Sequence, residues 1–230
     1  MSSASTIYDP AYARRYRAHD DEFESSEPCR RFAEWLHQLC VAMTPPIDVL
    51  DLGCGTGRYF WALTGVRNLV GIDASPAMLA EARRPHNAEL ITARMVTLIE
   101  GDIASHPVDE GRFDLVYSIG VLAEHAPLDE SIVARVARWL KPGGQFAFTT
   151  VHPDSPSIPL TLKRTLGRAI AAMTPSPLAQ PLRDRLLARG RYADERRVRE
   201  LLEPRFVIDS LFRFESEAHL HCWCVARKGA

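Results

Sequence analysis

Hydrophobic positions follow two periods along the chain, and together they predict helices that alternate with strands. In residues 1–45 the apolar positions recur at helical spacing. They predict one helix over Tyr8–Arg17 and a second one that begins after Ser25 and Ser26. Short apolar runs then predict five strands, Ile47–Leu52, Asn68–Ile72, Met95–Glu100, Phe113–Ser118 and Gln145–Val151. Strands that alternate with helices in this way favour a parallel sheet with helices on both faces.

The pattern changes after Val151. Prolines and helically spaced apolar residues in 152–190 predict short helices that form a lid, and a further helix is expected over Tyr192–Leu202. Two closing strands, Phe206–Phe214 and Ala218–Ala226, predict an antiparallel hairpin. The expected fold class is α/β, a doubly wound and mostly parallel seven-stranded sheet with this hairpin at its end. We divide the single domain, 1–230, into segments 1–45 (N-terminal helices), 46–151 (core), 152–190 (helical lid insertion) and 191–230 (C-terminal helix and hairpin).

Composition excludes several classes of protein. The 230 residues are 46% hydrophobic and 25% charged, with a net charge of −1, which excludes collagen-like, disordered and coiled-coil chains. Near-neutral charge also argues against a dedicated nucleic-acid binder. The five cysteines are an odd number and favour a reducing compartment. Because we find neither a secretory signal nor an apolar run of membrane-spanning length, we expect a cytoplasmic protein without membrane contact.

The turn after the first strand carries the most chemical information. Gly53, Gly55 and Gly57 alternate there, and such glycines let a backbone turn sharply and approach a ligand. Asp73 ends the next strand, 20 residues beyond Gly53, where a carboxylate can accept hydrogen bonds from both ribose hydroxyls. The two features together predict a nucleoside site.

Two common nucleotide motifs do not fit this turn. A dinucleotide fingerprint requires a glycine where the chain has Arg58, and the Gly-Lys-Ser/Thr of a P-loop is missing. The turn therefore suits an adenosine ligand whose other end is zwitterionic. Asp51, just before the turn, would repel a phosphate and attract an ammonium group.

Over residues 47–151 the sequence resembles the class I S-adenosylmethionine-dependent methyltransferase family. Five motifs stand in the family's order and at its usual spacing: Asp51-Leu52-Gly53-Cys54-Gly55-Thr56-Gly57, Gly71-Ile72-Asp73, Glu100-Gly101-Asp102-Ile103, Phe113-Asp114-Leu115-Val116 and Leu140-Lys141-Pro142-Gly143-Gly144. The resemblance implies a Rossmann-like fold, S-adenosyl-L-methionine as cofactor and methyl transfer as the reaction.

The resemblance also implies roles for individual residues. Asp51 and the glycine turn would hold the methionine part, Asp73 the ribose, and Asp102 the adenine amino group. Tyr16, on the first helix, would cover the cofactor. The full set of cofactor-binding residues implied is Tyr16, Asp51, Gly53, Cys54, Gly55, Gly57, Asp73, Ala74, Met78, Asp102, Ile103, Ser118 and Ile119.

The methyl acceptor is less defined. The segment after the fourth strand, Ser118–Leu122, lacks the Pro-Pro-Tyr typical of enzymes that methylate bases or glutamine, and with the residues that follow it is similar to small-molecule methyltransferases. His125 and His152 follow the fourth and fifth strands, so either is a candidate general base. Each histidine also has a simpler interpretation, in which it caps a loop or contacts substrate.

A metal site is not expected. In His219–Cys224 the two histidines and the two cysteines alternate along a predicted strand, so they would point to opposite faces.

The sequence therefore predicts a methyltransferase that acts on an O or N atom of a small molecule, such as a secondary metabolite. The chain would be a monomer or a homodimer and would have no nucleic-acid partner. Two alternatives stay open: a methyltransferase for RNA or protein, and a cofactor-binding relative that does not methylate.

Overall fold

A seven-stranded sheet forms the centre of the computed structural model, which describes residues 9–22, 26–158, 192–215 and 219–229. Its spatial order is β3-β2-β1-β4-β5-β7-β6. Strands β1 to β5 are parallel, whereas β7 runs antiparallel to both of its neighbours. The strands are β1 Ile47–Leu52, β2 Val66–Asp73, β3 Met95–Glu100, β4 Phe113–Ser118, β5 Leu140–Val151, β6 Phe206–Glu215 and β7 Leu220–Lys228. The predicted fold class is confirmed.

Five α-helices flank the sheet in the described residues: α1 Pro10–Asp20, α2 Glu27–Val41, α3 Pro76–Ala82, α4 Glu130–Trp139 and α5 Glu195–Leu202. Local chemistry explains where they begin. The side chains of Ser75, Asp129 and Asp194 each accept a hydrogen bond from an amide in the first turn of the helix that follows. None of these helices is long and apolar enough to cross a bilayer.

The core lies on both faces of the sheet. All six residues of β1 are buried, as expected for a central parallel strand. On one face, residues such as Val49 and Leu115 pack with Leu36 of α2. On the other face, Leu50 and Val116 belong to the cluster that includes α4 and α5.

Two predicted elements differ from the structure. Where the alternation of strands and helices predicts a helix after the glycine turn, the structure has only a short 3₁₀ turn, Phe60–Ala62. Strand β5 begins at Leu140, earlier than predicted, because Leu140 already pairs with Phe113 before the register shifts. The predicted lid lies mostly outside the described residues, which end at Ile158 and resume at Tyr192.

Candidate functional site

The order of the strands places a crevice at the end of β1. The chain passes from β1 to β2 on one side, and β4 lies on the other side, so β1 and β4 form the switch point where open α/β sheets bind ligands. The amides of Gly53 and Cys54 both donate to the carbonyl of Ile72, at 2.8 and 3.0 Å. These bonds hold the glycine turn against the end of β2.

The turn depends on glycine for steric reasons. Gly53 has a φ of 77°, and a Cβ atom there would lie 2.5 Å from a methyl carbon of Val121. Gly57 has a φ of 72°, and its Cβ would lie 2.7 Å from the ring of Phe60. Side chains are therefore excluded by both backbone conformation and space.

Asp73 and Gly55 meet at the turn, as the sequence predicted. One carboxylate oxygen of Asp73 accepts from the amide of Gly55 at 2.9 Å, and the other accepts from the amide of Ser75 at 2.8 Å. Burial raises the pKa of Asp73, while these two amides and the nearby His125 act to lower it. The carboxylate is thus held in place beside the glycine turn with both oxygens anchored.

Asp51 is a second carboxyl group in the crevice and is only 4% exposed. The hydroxyl of Tyr117 donates to it at 2.6 Å. Burial raises the pKa of Asp51 to about 8; the Tyr117 hydrogen bond opposes that rise, and the charge of Asp73 adds to it. Two poorly solvated carboxyl groups make this crevice suited to a cationic ligand group and unsuited to a phosphate.

Three more of the predicted cofactor residues are fixed by local contacts. Met78 is buried, and its methyl carbon lies 3.3 Å from where a Cβ of Gly55 would stand. Ser118 is buried and donates to the carbonyl of Leu52 at 2.8 Å. Asp102 lies after β3, and its carboxylate accepts from the amide of Ala104 at 2.9 Å.

Four further predicted residues lie in the glycine turn or shortly after β2, β3 and β4. Cys54 is buried within the turn, and Ile103 is buried after β3. Ile119 packs against the aromatic cluster of Phe32, Phe214 and Trp223. Ala74 lies between the two residues of the Asp73–Ser75 hydrogen bond.

Helix α1 is fastened to the glycine turn by a buried carboxylate that the sequence did not reveal. Asp20 is fully buried and accepts from the Thr56 hydroxyl at 2.6 Å and from the Arg58 guanidinium. The same guanidinium lies over the ring of Tyr16, 4.4 Å from its centroid. Arg58, noted in the sequence only because it breaks a dinucleotide fingerprint, therefore holds Tyr16 near the turn.

The structure separates the two candidate general bases. His125 is about half exposed, and its charge reaches Asp73, so it lies on the cofactor side. His152 is buried and points toward Glu195 of α5, with Nε2 3.4 Å from a carboxylate oxygen. Its Nδ1 accepts from the Asp154 amide at 3.0 Å, so the neutral ring carries its hydrogen on Nε2. Neither ring nitrogen of His152 thus offers a free lone pair.

Three potential metal ligands come together beside His152. The ligand atoms of His152, Glu195 and Cys222 lie within 4.8 Å of one another. Nitrogen, oxygen and sulfur donors of this kind suit zinc. However, a metal bound to Nε2 of His152 would require the ring hydrogen to be on Nδ1, and Nδ1 already accepts a hydrogen bond from the Asp154 amide. In addition, Glu195 is already paired with Arg213. We assign no metal to this group.

The sequence of the chain is similar to those of known methyltransferases. Residues 49–144 match the family model described as a methyltransferase domain. An uncharacterized methyltransferase of Synechocystis is 38% identical over 128 residues, which cover 53% of this chain and 57% of that protein. A malonyl-acyl-carrier-protein O-methyltransferase of Enterobacter lignolyticus is 34% identical over 130 residues, covering 56% of this chain and 43% of that protein. The chain thus spans about half the length of these curated relatives.

A solved structure extends the likeness in fold to almost the whole chain. The N-methyltransferase NodS from Bradyrhizobium japonicum, in complex with S-adenosyl-L-homocysteine, superposes with a TM-score of 0.65 at 15% identity. The match covers 95% of this chain and 97% of that one. Residues 49–144 thus match a methyltransferase domain, and the chain as a whole shares its fold with a solved methyltransferase.

Proposed function

We propose that the protein transfers a methyl group from S-adenosyl-L-methionine to an O or N atom of a small molecule. The observation that carries the proposal is the pair of Asp51 and Asp73, two poorly solvated carboxyl groups at neighbouring strand ends around a glycine turn that leaves no room for side chains. The pair matches a ligand with ribose hydroxyls at one end and positive charge at the other.

The residues present fit this cofactor. Asp73 would accept from the ribose hydroxyls, Asp51 would face the ammonium group, and Asp102 would meet the adenine amino group. Met78 would pack beside the adenine. When bound, the cofactor supplies a methyl group activated by the positive sulfur. The remaining work of this chain is to hold and orient both ligands, since alignment accounts for much of the rate of such a transfer.

His125 is the group we assign to proton transfer. It lies after β4, on the cofactor side, and an imidazole ring has a nitrogen that can accept a proton. It would accept the proton that an acceptor hydroxyl or amine loses. His152 is not retained in this role because both of its ring nitrogens face protein groups.

A small-molecule acceptor is supported by the relatives and by the segment after β4. The Enterobacter relative is named as an O-methyltransferase of malonyl-acyl-carrier protein. The segment Ser118–Leu122 lacks the Pro-Pro-Tyr of base and glutamine methylation. We also propose a cytoplasmic protein, because all five cysteines are free thiols, and a monomeric or homodimeric state.

Calorimetric titration with S-adenosyl-L-homocysteine tests the cofactor site. Replacing Asp73 with Ala removes the two ribose hydrogen bonds, and we expect the affinity to fall at least about 30-fold, from roughly 2 kcal/mol of charged hydrogen bonding. Asp209→Ala is the matched control, because Asp209 pairs with Arg227 on the closing hairpin. If the folded wild-type protein binds no S-adenosyl-L-homocysteine, the proposal is wrong.

An acceptor screen with a labelled methyl group then separates the alternatives. Label in small molecules supports the proposal. Label in RNA or protein favours the macromolecular alternative, for which salt-sensitive binding is expected. Cofactor binding without any S-adenosyl-L-homocysteine product would indicate a relative that does not methylate.

A further inference from the structure

Tyr117 is a buried residue at the cofactor crevice to which the sequence motifs assign no role. It is the last residue but one of β4 and is 1% exposed. In the parallel pairing of β1 and β4, Tyr117 stands directly opposite Asp51. The sheet register therefore delivers its hydroxyl to one carboxylate oxygen of Asp51, at 2.6 Å.

We propose that Tyr117 is a positioning residue whose hydroxyl holds one oxygen of Asp51 and leaves the other to receive the ammonium group of the cofactor. The inference rests on the proposed function, since it assigns Asp51 to the methionine end of S-adenosyl-L-methionine. In the part of the chain that the structure describes, the Tyr117 hydroxyl is the one hydrogen-bond donor to Asp51. Tyr117 thus fixes the direction in which the carboxyl group faces the turn.

Among the described residues that act on Asp51 there are acids and no cation. Tyr117 faces it from β4, Asp73 acts on it from the end of β2, and Cys54 lies near it in the turn. Burial and Asp73 raise the pKa of Asp51 to about 8, and the Tyr117 hydrogen bond is the force that lowers it. In the cofactor-free protein at neutral pH, Asp51 is therefore mostly protonated.

A bound ammonium group would supply the positive charge that these surroundings lack. The carboxyl group would then ionise, and its proton would leave to solvent as the cofactor binds. Binding would consequently strengthen as pH rises toward the pKa of Asp51 in the cofactor-free protein. Without the Tyr117 hydroxyl, ionised Asp51 would have no donor, so the same step would require a higher pH.

The Tyr117→Phe substitution isolates the hydroxyl. The phenyl ring keeps its place in the core cluster with Val49 and Leu115. We measure the binding of S-adenosyl-L-homocysteine, which carries the same ammonium group, by calorimetry between about pH 6 and pH 9. Two buffers with different ionisation enthalpies give the number of protons released.

For the wild-type protein we expect release of nearly one proton at about pH 7 and almost none above about pH 9. For Tyr117→Phe we expect roughly tenfold weaker binding at neutral pH, with recovery at higher pH, because a one-unit rise in pKa corresponds to a factor of ten. Asp51→Asn should bind weakly and release no proton at any pH. Tyr192→Phe is the control for loss of a tyrosine hydroxyl elsewhere.

Two results would overturn the inference. One is a Tyr117→Phe protein whose affinity and pH profile equal those of the wild type. The other is a uniform loss of affinity at every pH together with a lower melting temperature, which would make Tyr117 purely structural. Failure of the wild type to bind at any pH would instead contradict the proposed function, so the two failures are distinguishable.

Discussion

The two ends of β1 carry carboxyl groups with equal exposed fractions and opposite pKa shifts. Asp48, near the start of the strand, and Asp51, near its end, are each 4% exposed. Asp48 accepts hydrogen bonds from Arg67, Asn68 and Lys141, and with Arg67 as the main cause its pKa falls to about 2. Asp51 has Tyr117 as its donor, and burial raises its pKa to about 8. Two carboxyl groups with the same exposed fraction thus differ in pKa, because Asp48 has cationic partners whereas Asp51 lies deeper and has a neutral donor.

This difference distinguishes the edge of the sheet at the start of β1, which is structural, from the edge at the end of β1, which is the candidate binding edge. At the start of β1, the positive charges that pair with Asp48 come from side chains of the protein, Arg67 and Lys141. At the end of β1, the carboxyl group lacks a positive partner among the described residues that act on it. A strand end at which a buried carboxyl group has no positive partner is suited to bind a positively charged ligand group.

The largest effect is expected from substitution of Gly53, and Gly111 at the opposite edge of the sheet provides the comparison. Gly53→Ala, at the candidate binding edge, forces a side chain into Val121 at a positive φ, and we expect loss of cofactor binding and about 3 kcal/mol of stability. Gly111, before β4, also has a positive φ of 61° but open space around it, so Gly111→Ala should cost only about 1 kcal/mol. Urea unfolding and calorimetry measure both effects. Equal losses of stability in the two variants would contradict the expected difference between the two edges.

The pH dependence of stability sharpens the comparison. The folded pKa of Asp51 is raised to about 8. Its stabilising contribution is thus complete below about pH 4 and is lost as pH rises through 8, at about 1.4 kcal/mol per pH unit in between. The folded pKa of Asp48 is lowered to about 2, so its contribution is present above about pH 4 and is lost as pH falls toward 2.

Asparagine at each position tests these opposite signs. Asp51→Asn should flatten the decline between about pH 5 and pH 7, whereas Asp48→Asn should cost about 1 to 2 kcal/mol at neutral pH, because its Arg67 partner is about half exposed. Urea unfolding of the cofactor-free protein at a series of pH values is the measurement. A slope that Asp51→Asn leaves unchanged would contradict the assignment.

A smaller effect than that of Gly53→Ala is expected where α1 meets the glycine turn. Thr56→Val keeps the shape of the side chain but removes its hydrogen bond to buried Asp20. We expect a loss of about 1 to 2 kcal/mol, measured by thermal unfolding, and a modest loss of cofactor affinity. Thr97→Val, on exposed strand β3, is the control. A Thr56 variant as stable as that control would show that Arg58 alone holds Asp20.

Much of the fold and of the cofactor side could be predicted from short stretches of sequence. The apolar run Ile47–Leu52 and the glycines after it specify a buried strand and a sharp turn through local chemistry. The placement of Asp73 beside Gly55 follows from the turn and the next strand, because parallel neighbours end at the same edge. Residue types and spacing carry this information without any long-range contact.

Other features depend on contacts between distant segments. His152 looked equivalent to His125 in sequence, since both follow strands, but helix α5 places Glu195 against it, so that both of its ring nitrogens face protein groups. Asp20 gave no signal, because its partners Thr56 and Arg58 lie 36 and 38 residues away. No local pattern encodes such pairings.

The sequence by itself determined the alternation of strands and helices, the glycine turn and the chemical class of the ligand. The tertiary structure decided which acids in the crevice have partners. Asp51 and Tyr117 are 66 residues apart, and they meet only because β1 and β4 are neighbours in one register. Periodicity and turn chemistry act over a few residues, whereas the charge of a buried group depends on whichever distant side chains the packed sheet brings to it.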